Sequence, residues 1–192
     1  MILDDEQKLI KDALAGDSKS FERLMKLYSR KIYSFVYRMV RDEEIATELV
    51  QDFFIKIYTV LHKYNFTYKF STWAYRICYN MVIDHVRKNQ VNIDSLDDDF
   101  VTQKALLESD NFVSDNGFDN LEQTEIRELV WNSVERIPLK FRELVLLRYL
   151  DGLKYEEIAE ITELPVGTIK NRIFKAKELL REEIRIHGLS ES

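Results

Sequence analysis

Basic and amide side chains follow one another along residues 165–187, where six bases stand against three acids. Cations at this density bind phosphate groups, and amides read the edges of bases. The apolar residues of the same stretch, Ile169, Ile173, Ala176, Leu180 and Ile184, recur at helical spacing and share one face. The other faces carry Lys170, Asn171, Arg172, Lys175, Lys177 and Arg181. This pattern predicts a helix that binds nucleic acid.

An unusual aromatic cluster lies at residues 64–79, which hold seven aromatic side chains among cations and amides. Aromatic rings stack on unpaired bases, and cations beside them follow the phosphates of a single strand. A packed core with a basic rim explains the same residues equally well, and the spacing does not decide between the two. We expect Phe70 and Trp73 to be core residues in either case.

Residues 64–70 lack a helical period and are predicted to form a loop, followed by a helix to about Asn89 that Ser71 or Thr72 caps. Its predicted buried side is Trp73, Ile77, Met81 and Val82. The preceding helix is predicted to open at Asp42, Glu43 and Glu44, because acidic residues are favourable near a helix N-terminus. Its apolar face is Ile45, Leu49, Val50, Phe53, Ile57, Tyr58 and Leu61. Glu48, Gln51 and Asp52 lie together on its polar face, which from this segment alone is most simply a solvated face.

No arrangement in the sequence is typical of an enzyme. A glycine-rich phosphate loop and a GxSxG motif are both missing, and His62, His85 and His187 are scattered. His85 and Cys78 lie nearly two turns apart on one predicted helix, and no second pair completes a metal site. We therefore expect no catalytic residue, no metal and no cofactor.

Composition indicates a helical protein with an uneven charge. The 192 residues are 45% hydrophobic, with only 5 Gly and 2 Pro, which favours an all-α fold. The net charge is −6, but residues 91–128 contribute −9, so the rest of the chain is +3. A single cysteine, no apolar run long enough to span a membrane and no signal-peptide pattern predict a cytoplasmic protein without membrane insertion.

Two helical domains are predicted, at residues 1–90 and 122–187, joined by an acidic flexible linker at 91–121. The first begins with a helix over 3–15 that stops at Gly16, and Asp17 or Ser18 caps a second to about Val40. The apolar face of this second helix is Phe21, Leu24, Leu27, Tyr28, Ile32, Phe35, Val36 and Met39. The second domain has a helix from about Asn120 to Ile137, one over 141–150 with a cap at Asp151-Gly152, and two more.

Those last two helices, with a break at residues 162–165, predict a helix-turn-helix. Ala159 would permit close helix approach, Leu164 would fill the corner, and Pro165 would occupy the first position of the second helix. The first helix carries Tyr155, Ile158, Ala159 and Ile161 on its apolar side.

Three segments together resemble the extracytoplasmic-function (ECF) group of bacterial RNA polymerase sigma factors, in the sigma-seventy family. ELVQDFFIKIY resembles the family's region-two helix, and FSTWAYRICYNMVIDHVRK resembles its promoter-melting segment. IPLKFRELVLLRYLDGLKYEEIAEI followed by PVGTIKNRIFKAKELL resembles region four. The three motifs occur in the family's order and separation, and they span nearly all of the chain outside the linker and termini.

The resemblance implies a promoter-specificity subunit that binds core RNA polymerase, through its beta and beta-prime subunits, and promoter DNA. Residues matching the polymerase contact are Glu48, Gln51 and Asp52. Residues matching the pocket for a flipped minus-ten base are Val60, Tyr64 and Asn80, with Lys56, Lys69 and Arg76 on the DNA backbone. Residues matching the minus-thirty-five reader in the major groove are Lys170, Asn171, Arg172, Phe174 and Lys175, with Arg148 on a phosphate. An anti-sigma partner is also implied, and the linker would pass through the polymerase active-site cleft.

Two positions depart from the family pattern. Glu163 stands in the corner of the helix-turn-helix, where the family often has glycine, and we expect a tighter turn in another register. The minus-ten loop NFTYKFST has more aromatics than usual and no glycine, so the promoter sequence cannot be transferred. The alternative function is a helix-turn-helix regulator with an N-terminal partner-binding domain. A third is an adaptor that has lost DNA binding, against which the basic residues at 170–175 argue.

Overall fold

In a computed structural model, the chain divides into two compact units, Met1–Asn89 and Gln90–Ser192. The structure describes the backbone of residues 2–89 and 124–188, and these residues form helices and short connections with no strand. The all-α fold is therefore confirmed. The predicted linker at 91–121 and the predicted helix start near Asn120 lie outside the described residues. Within the described part, no helix is both long and apolar enough to cross a membrane.

The first unit contains four helices. They are α1 (Ile2–Leu14), α2 (Ser18–Val40), α3 (Glu43–Val60) and α4 (Phe70–Asn89), with one 3₁₀ turn at Leu61–Lys63. Asp17 caps α2 by accepting from the Lys19 amide at 3.1 Å, and Asp42 caps α3 by accepting from the Ile45 amide at 2.9 Å. Gly16 takes the left-handed conformation between α1 and α2. These predicted starts and stops are confirmed, because short polar side chains satisfy the free amides of a helix N-terminus.

The core of this unit lies where α2 packs against α1, α3 and α4. Most of the predicted face of α2 is buried there, including Leu24, Ile32 and Phe35. Leu27 is the exception, since 59% of it is exposed. At 100° per residue it lies about 120° from the centre of the buried stripe. The prediction that Leu27 is a core residue was wrong.

The buried side of α4 also differs from the prediction. Phe70 and Val82 are buried as expected, but Trp73, Ile77 and Met81 are only half-buried. The side facing the core is Ala74, Tyr75, Cys78, Tyr79, Val82, Ile83 and Val86. The Trp73 amide donates to the Lys69 carbonyl at 3.2 Å, so the helix starts before Ser71 and Thr72, and neither caps it.

The second unit also contains four helices. They are α5 (Thr124–Arg136), α6 (Leu139–Val145), α7 (Tyr155–Thr162) and α8 (Val166–Gly188), with one π turn at Leu146–Leu150. α8 packs against each of the other three helices. The side chains buried along α8 are Ile169, Ile173, Ala176 and Leu180, which confirms the predicted stripe, while Ile184 is half-buried.

The predicted helix over 141–150 is divided in two. α6 starts from the Pro138 carbonyl, and from Leu146 the bonding changes to the wider π pattern, in which the Asp151 amide reaches the Leu146 carbonyl at 3.2 Å. Arg142 donates to the carbonyls of Glu135 and Ile137, at 2.7 and 3.1 Å, and so closes the turn between α5 and α6. π turns occur often at functional sites, and this one carries Arg148.

The turn between α7 and α8 is built on Glu163. α7 ends there with φ 60° and ψ 20°, and the Glu163 amide donates to the Ala159 carbonyl at 2.9 Å. This left-handed cap is the conformation that glycine favours. The expected change of register is therefore wrong, because Glu163 adopts the glycine-like geometry itself. Pro165 immediately precedes α8, and its carbonyl accepts from the Ile169 amide at 3.1 Å.

Replacing Glu163 with glycine is expected to stabilise the protein by about 0.5–1 kcal/mol, because a Cβ disfavours the left-handed conformation. Glu163→Ala is the matched control, since it removes the same side chain but keeps the Cβ. Urea unfolding of the two variants measures the backbone effect directly. Equal free energies of unfolding for the glycine and alanine variants would show that the cap is not strained.

Candidate polymerase and promoter interfaces

The outward face of α3 carries the three residues predicted to contact polymerase. Glu48, Gln51 and Asp52 are all exposed, while Phe53 and Ile57 on the opposite side are buried. The α2 and α4 helices cover that opposite side, so the acidic face is available to a partner.

An exposed isoleucine lies in the middle of this acidic face and was missed by the sequence reasoning. Ile55 is 66% exposed and follows Gln51 and Asp52 by four and three positions, which places the three side chains together. Tyr58 was predicted to lie on the apolar face, and this was wrong, because it is exposed with its ring edge-on to Phe21 at 5.0 Å. The sequence could have revealed this exposure, because Ile55 does not fall on the helical period of the buried apolar residues of α3.

The exposed face of α4 brings together a second set of predicted residues. Arg76 and Asn80 are one turn apart, and Arg87 continues the same face toward the end of the helix. Lys69 immediately precedes α4 and is also exposed. The half-buried ring of Trp73 adjoins this row, so cations, an amide and an aromatic edge share one surface.

The loop before α4 is held by local hydrogen bonds. The Tyr64 hydroxyl donates to the Tyr68 carbonyl at 2.6 Å, and burial raises the pKa of Tyr64, so the hydroxyl remains a donor. The Asn65 side chain accepts from the Thr67 amide at 2.9 Å, and its carbonyl accepts from the Tyr68 amide at 3.1 Å. Such bonds fix a turn without glycine, which explains how the loop is ordered.

Tyr64 lies inside the aromatic cluster rather than on its surface. It is 9% exposed, and its ring packs on Phe66, Phe70 and Trp73 at centroid distances of 5.0–5.3 Å. The more exposed rings of this loop are Phe66 and Tyr68. In this arrangement Tyr64 supports the loop, and its assignment to the base pocket stays a prediction.

Two further predicted residues lie on one flank of α3. Lys56 is exposed, and Val60, the last residue of the helix, is half-buried one turn later. Lys56 is turned about 100° and Val60 about 140° around the helix from Ile55. Lys56 also lies one turn after Asp52, so the residues predicted to contact polymerase and those predicted to contact DNA adjoin along α3.

The N-terminal half of α8 presents the predicted major-groove residues. Lys170, Asn171 and Lys175 are exposed, whereas Arg172 and Phe174 are half-buried. The Lys175 ammonium forms an exposed ion pair with Glu178 at 3.1 Å. Exposed pairs of this kind are worth little in water, so a phosphate can replace Glu178 at low cost.

Tyr155 joins two of the predicted DNA-contacting cations. The Arg148 guanidinium lies 5.0 Å from the Tyr155 ring centroid, and the Lys170 ammonium lies 5.6 Å from it. Arg148 also donates to the Leu153 carbonyl at 3.0 Å. The face of an aromatic ring attracts cations. The Tyr155 ring, at the start of α7, therefore holds one cation from the π turn and one from α8 close together. Sequence reasoning had placed Tyr155 only on an apolar face.

Comparisons with known proteins match both units to one family. The family model "Sigma-70 region 2" matches residues 24–91, and "Sigma-70, region 4" matches residues 127–180. The ECF RNA polymerase sigma factor SigW of Bacillus subtilis is 33% identical over 181 residues, which cover 93% of this chain and 96% of the relative. The ECF RNA polymerase sigma-E factor of Escherichia coli is 33% identical over 187 residues, which cover 94% of each chain.

Two solved structures share the fold. CnrH in complex with the cytosolic domain of CnrY has a TM-score of 0.67 at 16% identity, and the match covers 95% of this chain and 99% of that one. The sigma factor RpoE of Bartonella quintana, in complex with the anti-sigma factor NepR, has a TM-score of 0.65 at 19% identity over 88% of this chain and 99% of that one.

A helix-turn-helix unit preceded by a helical unit, each matched by its own sigma-70 family model, is the arrangement of a promoter-specificity subunit. The chain belongs to the ECF sigma factors of the sigma-70 family. As a sigma factor it binds core RNA polymerase and promoter DNA and directs promoter-specific initiation of transcription, and it is not an enzyme. The alternative of a free-standing helix-turn-helix regulator is thereby set aside.

Proposed function

We propose that three separate surfaces divide the work of this sigma factor. The acidic face of α3, with Ile55 at its centre, binds the clamp helices of the polymerase beta-prime subunit. The exposed face of α4 captures the minus-ten element as single-stranded DNA. The first half of α8 reads the minus-thirty-five element in the major groove. The observation that carries this proposal is the row on α4, where Lys69, Arg76 and Asn80 adjoin Trp73.

That row supports single-strand capture for a physical reason. Stable stacking and phosphate contacts together hold unpaired nucleotides, and the face offers both along one helix. Asn80 is exposed and offers an amide to a base edge, while Lys69 and Arg76 supply charge for the backbone. An ordered loop reduces the entropy lost on binding, which is the role we assign to Tyr64.

The experiment that tests this division uses two promoter fragments with holoenzyme reconstituted from core polymerase and the full chain. One fragment is a duplex containing only the minus-thirty-five element, and the other is a fork with a single-stranded minus-ten element. Substitutions on α4 are expected to weaken binding of the fork alone, and those on α8 binding of the duplex alone. If the α4 variants or the α8 variants weaken binding of both fragments, the two surfaces are not separate.

Tyr155 is predicted to position Arg148 and Lys170 for DNA. Tyr155→Leu is expected to weaken minus-thirty-five duplex binding by about fivefold to thirtyfold, from the loss of two cation–ring contacts of about 0.5–1 kcal/mol each. Tyr155→Phe keeps the ring and should retain most of the affinity. Fluorescence anisotropy with labelled duplex measures both. Equal loss in the two variants would assign the effect to the hydroxyl and contradict the positioning role.

Two further assignments rest on charge and on likeness. The acidic segment at 91–121 would repel free DNA until polymerase binds it, so deletion of residues 94–119 should raise nonspecific DNA binding by the free chain. An anti-sigma partner is proposed by analogy with the RpoE–NepR complex. The cytoplasm, where RNA polymerase works on DNA, is the proposed site of action.

A further inference from the structure

The outward face of α2 is strongly basic and has no part in the three surfaces described above. The helix carries six bases against the single acid Glu22, although the whole chain has a net charge of −6. Its buried stripe packs against α1, α3 and α4. The basic face lies on the other side of α2 and points away from those helices.

Four of these cations are exposed. Within the part of the chain that the structure describes, Arg23, Lys26, Arg30 and Lys31 form no ion pair. Arg23 and Lys26 are three positions apart, and Lys26 and Arg30 are four apart, so like charges are neighbours on the helix surface. Such pairs destabilise an isolated helix, and a partner of opposite charge would remove the repulsion.

Leu27 lies inside this group of cations. It follows Arg23 by four positions and precedes Arg30 and Lys31 by three and four, which makes all three its surface neighbours. It is 59% exposed, so it adds little to the core of the free protein. An apolar centre within a charged rim is the usual arrangement of a protein interface.

We propose that Leu27 and the surrounding cations Arg23, Lys26, Arg30 and Lys31 form a docking surface for an acidic, amphipathic α-helix of a partner protein. The apolar stripe of that helix covers Leu27, and its carboxylates pair with the cations. DNA phosphates would use the cations but leave Leu27 in water. A membrane surface would need a broad apolar face, whereas the apolar stripe of α2 is turned into the core.

The first test measures binding of a labelled synthetic helix, with one leucine stripe flanked by glutamates, to the full-length chain. Leu27→Ser is expected to weaken binding about tenfold or more, since the buried leucine is lost. Arg30→Gln and Lys31→Gln should each weaken it about twofold to fivefold. Leu14→Ser and Lys63→Gln, at exposed positions elsewhere in the same unit, are the matched controls and should bind like the wild type.

Several outcomes would overturn the proposal. A peptide of glutamates without leucine that binds equally well to wild type and to Leu27→Ser would reveal general charge attraction only. The binding of random-sequence duplex DNA and of anionic vesicles is measured with the same variants. If loss of these cations weakens either more than it weakens peptide binding, the face binds phosphates. Deletion of residues 94–119 could also make the peptide bind more tightly, and Leu27→Ser in the deleted chain could remove that gain. This pair of results would show that the chain's own acidic segment occupies the face.

A photo-crosslinking residue at position 27 then tests the surface in cells. The expected product is an adduct with another protein, whose crosslinked peptide is acidic and has leucines or similar residues at helical spacing. The same residue at position 14 should not give this adduct. A crosslink from position 27 to nucleic acid, or to residues 91–121 of this chain, would contradict the proposal.

Discussion

Replacing Asn80 with alanine is expected to reduce open-complex formation by about fivefold to thirtyfold while leaving binding of the minus-thirty-five duplex unchanged. The side chain is exposed on the face of α4 that also carries Arg76. Loss of its contact to a captured base should cost about 1–2 kcal/mol, and that contact exists only once the strands separate. Fluorescence of a 2-aminopurine placed in the minus-ten element follows strand opening directly.

Asn171→Ala is the matched control, because it removes the same side chain from an exposed position on α8. It should weaken duplex binding and leave capture of an already opened fork intact. The two variants are thus expected to give opposite patterns. If Asn80→Ala lowers duplex binding and strand opening by the same factor, Asn80 has no specific role in holding a single strand.

Ile55→Ala is expected to weaken binding to core polymerase by about tenfold. A largely exposed isoleucine surrounded by Glu48, Gln51 and Asp52 gains burial only in a complex, and covering such a side chain is worth about 1.5–3 kcal/mol when complete. Titration of labelled chain with core polymerase measures the affinity. The melting temperature should not fall, because Ile55 contributes little to the core of the free protein.

Leu14→Ala serves as the control for Ile55→Ala. Leu14 is another exposed aliphatic side chain of the same unit, on α1, and its removal should not affect polymerase binding. The pairing separates a specific contact from a general change in surface hydrophobicity. Wild-type affinity in Ile55→Ala would place the polymerase contact on a different face.

The helices and their ends were largely predictable because they depend on local rules. Asp17, Asp42 and Gly16 act where they stand in the sequence, through capping and backbone freedom. The apolar stripe of α8 was equally predictable from its period. The π turn at Leu146–Leu150 was not, since its residues fit an ordinary helix and the change of bonding depends on tertiary packing.

The grouping of functional residues was less accessible from sequence. The row on α4 follows helical spacing, but which side of α4 faces the core was misjudged, because aromatic residues occur on both sides. Tyr155 between Arg148 and Lys170 joins three separate elements, and no spacing rule relates them. Glu163 shows the opposite case: the residue departed from the family pattern, yet the backbone kept the left-handed turn.

Single-round transcription with reconstituted holoenzyme on a library of promoter fragments is the most direct test of promoter specificity. Core polymerase with this chain should start at a defined subset of fragments that share a minus-ten and a minus-thirty-five element. Core alone should not, and the chain carrying both Asn80→Ala and Asn171→Ala should lose that selectivity. Initiation on the same fragments without the chain, or no fragment enriched in its presence, would contradict the role of this protein as the specificity subunit.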